Sequence, residues 1–215
     1  MIEIPKYTIG TYNPNAVEDN RRTDFTRRIP TGLSDKQMAR DSKIAMQLIR
    51  IDQEGGEQAG QKMLDLFFRK AKLLSNPRYW ELMRTVWVAA GSTETAPLFR
   101  TMMKSSRPCR SWFMTPEDAK ALDAMQFPVT VWRAYDINYA RIDPTSWVQW
   151  IQSTHPGDIV DVEDADPGIS WTLDREWCLD YARKKYRIVK QRQVYRNDIF
   201  AYVTRRGEEE IIILD

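Results

Sequence analysis

A chain of 215 residues with 42% hydrophobic and 29% charged residues is too apolar for a disordered polypeptide and long enough to bury a sizeable core. Its formal net charge of +2 and pI near 8.5 are too mild to argue for a nucleic-acid partner on electrostatics alone, and the locally basic stretch 20–28 reads as a solvated arm. The opening residues lack the basic-then-apolar layout of a signal peptide and no apolar run is long enough for a membrane span, so a cytoplasmic protein is expected.

In chain order, residues 1–33 are polar and punctuated by Pro5, Gly10, Pro14, Pro30 and Gly32, which predicts an extended arm. Ser34 followed by Gln37 offers a capping box, and Met38, Ala45, Leu48 and Ile49 then recur at helical spacing. After the Gly55-Gly56 break, Ala59, Met63, Leu66, Phe67 and Leu74 mark one face of a second helix that must stop before Asn76-Pro77. Pro77 then suits the first turn of a third helix carrying Trp80, Met83, Val86, Trp87 and Ala90, with Gly91 at its end. A shorter helix is predicted over 95–104. These apolar stripes read as core faces, as on any packed helix.

From about residue 111 the texture changes. Thr115 caps a helix opened by Pro116, with Glu117 and Asp118 where the helix dipole favours negative charge. The β-branched and aromatic run 127–136 reads as a strand, and Asp143-Pro144 begins a brief helix through Trp147 and Trp150. Loop chemistry at 153–168 precedes a short strand, "GISWTLD", leading to Asp174, which caps a helix to about Lys184. Further strands are predicted near 186–190, 198–205 and 209–214. The fold class is therefore α+β: an arm over 1–33, a helical region over 34–110, and a β-rich unit over 111–215 with a mixed or antiparallel sheet.

Several chemistries are excluded by what is missing. His155 is the only histidine and sits in a loop beside Pro156, which removes serine–histidine catalysis and histidine metal clusters. Cys109 and Cys178 have neither the spacing nor the partners of a zinc site, so no metal is expected, and they suit a reducing compartment. No glycine-rich phosphate loop occurs. What remains is a set of polar residues on predicted strands: Arg133 among Val129, Val131 and Trp132; Ser170 and Thr172 around Trp171; Glu208 and Glu210 before a run of isoleucines. Alternation puts Ser170 with Thr172 and Glu208 with Glu210 on shared faces, with Glu209 facing away. Such a face makes either a binding cleft or the solvated side of an antiparallel sheet.

The order of these residues resembles the R-S-E class of ADP-ribosyltransferases. An aromatic-Arg ends an apolar strand, a Ser-x-Thr strand follows a glycine, and Glu-x-Glu runs into an aliphatic strand. "GISWTLDREWCLDYARK" and "DIFAYVTRRGEEEIIIL" look like the small ADP-ribosyltransferase-like proteins of bacteriophages and bacteria, a group that includes anti-CRISPR enzymes. The resemblance spans about 111–215 and implies an ADP-ribosyltransferase-like sheet there, with NAD as the substrate. It assigns Arg133 to an NAD phosphate or ribose, where a guanidinium donates two parallel hydrogen bonds. Ser170 would brace the catalytic glutamate and the cofactor, with Thr172 as a supporting hydroxyl. Glu210 would stabilise the oxocarbenium-like cation formed as nicotinamide leaves, and Glu208 would orient or deprotonate the acceptor. Tyr181 occupies the place of an aromatic that stacks on nicotinamide, or belongs to the core.

The sequence departs from the family pattern at Ala134, where glycine is usual, and in having Ser-Trp-Thr for Ser-Thr-Ser. Three consecutive glutamates leave two registers, and Glu208 with Glu210 is preferred because a shift by one would put Gly207 at the acceptor-orienting position. The implied activity is mono-ADP-ribosylation of a macromolecule in a bacterial cytoplasm, in phage–host conflict or as a toxin. A protein acceptor, arginine included, is favoured over nucleic acid. Glycohydrolysis of NAD and a degenerate binding module are the alternatives, and the helical half would complete the core, cover the cleft or dock a protein partner.

Overall fold

The computed structural model describes residues 30, 32–56, 58–92, 94–140, 146–161, 168–205 and 208–214, so the arm expected over 1–33 and the Asp143-Pro144 helix start lie largely outside the described residues. Helix α1 (Asp35–Glu54) begins where Ser34 accepts the Gln37 N–H at 3.3 Å, the first half of the expected capping box. Helix α2 (Ala59–Lys70) ends four residues before Leu74, because Ala71–Leu73 tightens into a 3₁₀ turn ahead of α3 (Asn76–Ala90). Helix α4 (Ala96–Met103) closes the helical half. Then come α5 (Pro116–Asp123), whose Thr115 and Asp118 form a reciprocal capping box, and strand β1 (Val129–Tyr135). Helix α6 (Trp147–Ser153), strand β2 (Ser170–Thr172) and helix α7 (Arg175–Lys184) follow, the last capped by Asp174 through the Trp177 N–H at 2.9 Å.

Strand β3 (Ile188–Val194) starts two residues later than expected and runs further. The helix before it dictates this: Tyr186 takes a left-handed conformation (φ 53°) and the Arg187 N–H returns to the Ala182 carbonyl at 2.8 Å, which spends those residues on helix termination. Strands β4 (Ile199–Arg205) and β5 (Glu208–Ile213) complete a five-stranded sheet of order β3-β1-β2-β5-β4, antiparallel at every pairing. The molecule is α+β, with helices gathered in the N-terminal half.

Alternation along the strands sends side chains to three hydrophobic clusters. The largest runs from Leu48, Phe67, Trp80 and Trp87 of the helical half to Phe200, Ala201, Val203 and Ile212 of the sheet. The change of texture near residue 110 is thus a change of secondary structure within one core. On the opposite face, Leu122 of α5 joins Val131, Trp171, Tyr202 and Ile211. Helix α7 packs Cys178, Leu179 and Ala182 against Trp132, Ala134 and Val189 at the other end of the sheet. The helical half therefore covers β4 and β5, α7 covers β1 and β3, and β2 lies between them.

Two side chains cover the free edge of β4. Met114 Sδ accepts the Tyr202 N–H at 3.4 Å, and Asp118 Oδ1 accepts the Thr204 N–H at 3.2 Å. The same Asp118 receives Arg84 Nη2 from α3 at 2.8 Å, an ion pair with side chains only 11% and 4% exposed. Among the described residues no helix is long and apolar enough to cross a membrane.

Candidate active site

The gap over β2 is a half-open cleft with a cavity volume of about 180 Å³. Its floor carries Ser170, Thr172 and Glu210, one wall is the end of α3 (Trp87, Gly91, Ser92), and the other is α7 (Trp177, Cys178, Tyr181). Strand register places the acid: Thr172 lies opposite Glu210 on β5, and the β4–β5 register runs without a slip from Glu208 to Ile212. Glu210 is only 6% exposed. A carboxylate so buried requires hydrogen-bond donors, and two converge on its Oε1: the Ser170 hydroxyl, in a very short contact, and the Trp87 indole N–H at 3.1 Å. Both donors meet the same oxygen, so together they fix the carboxyl group in direction as well as position.

Glu209 points the other way and is exposed, accepting the Tyr202 phenol at 2.9 Å. Burial, and donation to Glu209, push the Tyr202 phenol up to about 12. Glu208 opens β5 opposite Arg205. Thr172 shares the floor, yet its Oγ1 accepts the Asp174 N–H at 3.0 Å. That hydroxyl holds the turn from β2 into α7 rather than the glutamate.

Arg133 arrives by a less regular route. Strict alternation puts it on the face of Val131, away from Trp132, which pairs with Thr172. But Trp132 with Thr172 is the sole residue pair of the β1–β2 ladder, and past it the strands part. The guanidinium lies at that parting, where Nη1 donates to the Ser170 carbonyl at 2.9 Å, a carbonyl that β1 no longer serves. It rests flush on Gly168: a Cβ there would come within 1.3 Å of Arg133 Nη2 and 1.8 Å of its Cζ. The glycine before the Ser-x-Thr strand is therefore a space requirement set by the arginine. Arg133, Ser170 and Glu210 are joined in one chain of contacts, through the carbonyl and hydroxyl of the same serine.

On the α7 wall Tyr181 is already engaged, stacked on Trp177 with ring centroids 5.2 Å apart and planes 9° apart, and with the Arg187 guanidinium 5.6 Å from its centroid. Burial pushes the neighbouring Cys178 thiol up to about 12, which makes it a packing residue and not a nucleophile.

Sequence reasoning misses Trp87, Trp177 and the Gly91-Ser92 wall. Trp87 reads correctly as the apolar face of a helix, being 2% exposed and edge-on to Phe99 at 4.9 Å, and nothing in that pattern marks its N–H as a ligand of an acid 123 residues away. Gly91 reads as a helix end. It also makes room for the indole, since a Cβ there would lie 2.9 Å from Trp87 Cδ2. Trp177 has a signal in its spacing of four from Tyr181 on one helix.

Neither a family model, nor a curated protein, nor a solved structure matches the chain.

Proposed function

We propose that the protein is an NAD-dependent mono-ADP-ribosyltransferase that modifies a macromolecule in a bacterial cytoplasm, in a phage–host or toxin setting. The observation that carries this reading is the buried Glu210 carboxylate, held on one oxygen by Ser170 and Trp87 in a cleft that also contains the Arg133 guanidinium. The cleft's cavity volume of about 180 Å³ is below the roughly 300–1,000 Å³ of sites that enclose a drug-sized ligand, so it would take one part of a dinucleotide and leave the rest outside its open mouth. Its aromatic walls and one arginine suit a ligand with flat rings and anionic phosphates.

Glu210 supplies fixed negative charge beside the ribose carbon as the glycosidic bond breaks and its electron pair leaves with nicotinamide. Ser170 and Trp87 hold that charge in place beforehand, so little reorganisation is needed at the moment of reaction. Arg133, braced by the Ser170 carbonyl and Gly168, offers guanidinium N–H groups to a phosphate or ribose. Glu208 takes the proton that the acceptor gives up as its nucleophilic atom bonds to the ribose carbon. Replacing the acceptor by water turns the same steps into glycohydrolysis, so one experiment covers both.

Purified protein is incubated with NAD labelled in the adenylate half, with and without host lysate. Wild type should transfer label to a macromolecule. Glu210→Gln, which keeps an Oε1 able to accept from Ser170 and Trp87, should fold normally and lose about 100-fold or more of the activity. Free labelled ADP-ribose without macromolecular product assigns glycohydrolysis. Neither product, from wild type of demonstrated fold, refutes the enzyme reading.

A further inference from the structure

Immediately beyond the α7 wall the chain reads Arg183, Lys184, Lys185, Tyr186, Arg187: four cations around one tyrosine. The stretch 183–196 holds seven Lys or Arg and no Asp or Glu, in a chain whose net charge is only +2. Within 183–187 Lys184 is tied to Asp180, the one ion pair of this segment among the described residues. Arg183 is also set in place: its stem lies against Gly157, where a Cβ would come within 2.7 Å of Arg183 Cγ. Arg187 lies over the ring of Tyr181, in the cleft wall itself.

Tyr186 is the unusual member. It is 81% exposed, with φ 53°, at the position just past a helix where glycine is the ordinary choice. A tyrosine there adds left-handed strain while burying almost nothing, so the fold gains little from its ring. Exposed aromatics set among cations are what single-stranded nucleic acid binds: bases stack on the ring and phosphates meet the cations. We propose that residues 183–187 form a single-stranded nucleic-acid surface, with Tyr186 as its stacking ring and Arg183, Lys185 and Arg187 as its phosphate contacts. The surface runs from Tyr186 through Arg187 to Tyr181, so a bound strand would lie at the mouth of the cleft. That the strand is the acceptor rests on the transferase reading; that it binds does not.

The test uses anisotropy of a labelled single-stranded oligonucleotide with the full chain, without NAD, beside thermal unfolding. Wild type should bind with salt-dependent affinity, and Arg183→Gln with Lys185→Gln should lessen the slope of log K against log salt by about 1.4. Tyr186→Gly should weaken binding roughly tenfold while raising the melting temperature by about 2–4 °C, since the ring is lost and the strain relieved. A merely structural tyrosine cannot move the two in opposite directions. No binding at low salt, unchanged affinity in Tyr186→Gly, or equal affinity for an acidic peptide overturns the proposal. Because NAD is absent, none of these outcomes bears on transfer activity, and an inactive enzyme that binds the oligonucleotide leaves the surface standing.

Discussion

Replacing Trp87 by phenylalanine separates the two jobs of that side chain. A phenyl ring would still fill most of the space beside Phe99, but the N–H that reaches Glu210 Oε1 at 3.1 Å would be gone. A hydrogen bond to a charged group contributes about 1.5–3 kcal/mol. At about 1.4 kcal/mol per factor of ten, kcat should fall by roughly 10- to 150-fold if that donor helps hold the carboxylate in its reacting position. The KM for NAD should change little, because Trp87 acts through Glu210. The smaller ring also leaves a gap, costing on the order of 1–2 kcal/mol and a few degrees of melting temperature. Phe99→Leu supplies the control, since Phe99 packs edge-on to Trp87 in the same core without hydrogen-bonding Glu210. Steady-state release of nicotinamide and thermal unfolding are measured on both variants. If Trp87→Phe and Phe99→Leu lose melting temperature alike and both keep kcat per folded molecule, the indole is core filling and does not position the acid.

Three other perturbations test separate links. Gly168→Ala should displace the Arg133 guanidinium from the Ser170 carbonyl, raising the KM for NAD by about tenfold with a melting shift under about 2 °C; an unchanged KM would detach Arg133 from NAD binding. Asp118→Ala strands the Arg84 guanidinium and the Thr204 N–H, so it should cost about 3–5 kcal/mol, or roughly 6–20 °C; a loss of a degree or two would show that the pair between α3 and α5 adds nothing. The Tyr202 phenol is raised from 10 to about 12, so the stability it contributes is fully present below pH 10 and lost as pH rises to 12. Urea midpoints should fall over that window in wild type, and less steeply in Tyr202→Phe.

The secondary structure was legible because local chemistry agrees with it. Ser34, Thr115 and Asp174 each cap the helix that their spacing announces, and the β-branched runs became strands. The strand expected near 186–190 starts at Ile188 because Tyr186 takes the left-handed conformation that ends α7, which few tyrosines adopt and no local pattern announces. Alternation correctly sorts Ser170 and Glu210 from Glu209, because β2 and β5 are paired in continuous register. It misjudges Arg133, since the rule holds only while neighbouring strands stay together, and β1 and β2 part after one residue pair. Alternation also assigns Thr172 to the right face, but whether a hydroxyl serves an acid or a turn depends on the loop that follows. Trp87 lay beyond reach altogether: periodicity reports which face of α3 is buried, and not what meets its one polar atom.

The helical half thereby acquires a part in the site. A carboxylate 6% exposed must take its donors from the structure around it, and Ser170 alone gives Glu210 one. The second donor comes from the end of α3, and α3 is held there by packing that runs through Phe200, Ala201, Val203 and Ile212 and by the Arg84–Asp118 pair to α5. Cutting the chain near residue 110 would uncover that face of β4 and β5 and remove a ligand of Glu210 in the same step. The end of α3 is therefore a wall of the cleft and a share of its electrostatics, and any docking role of the helical half is added to that one.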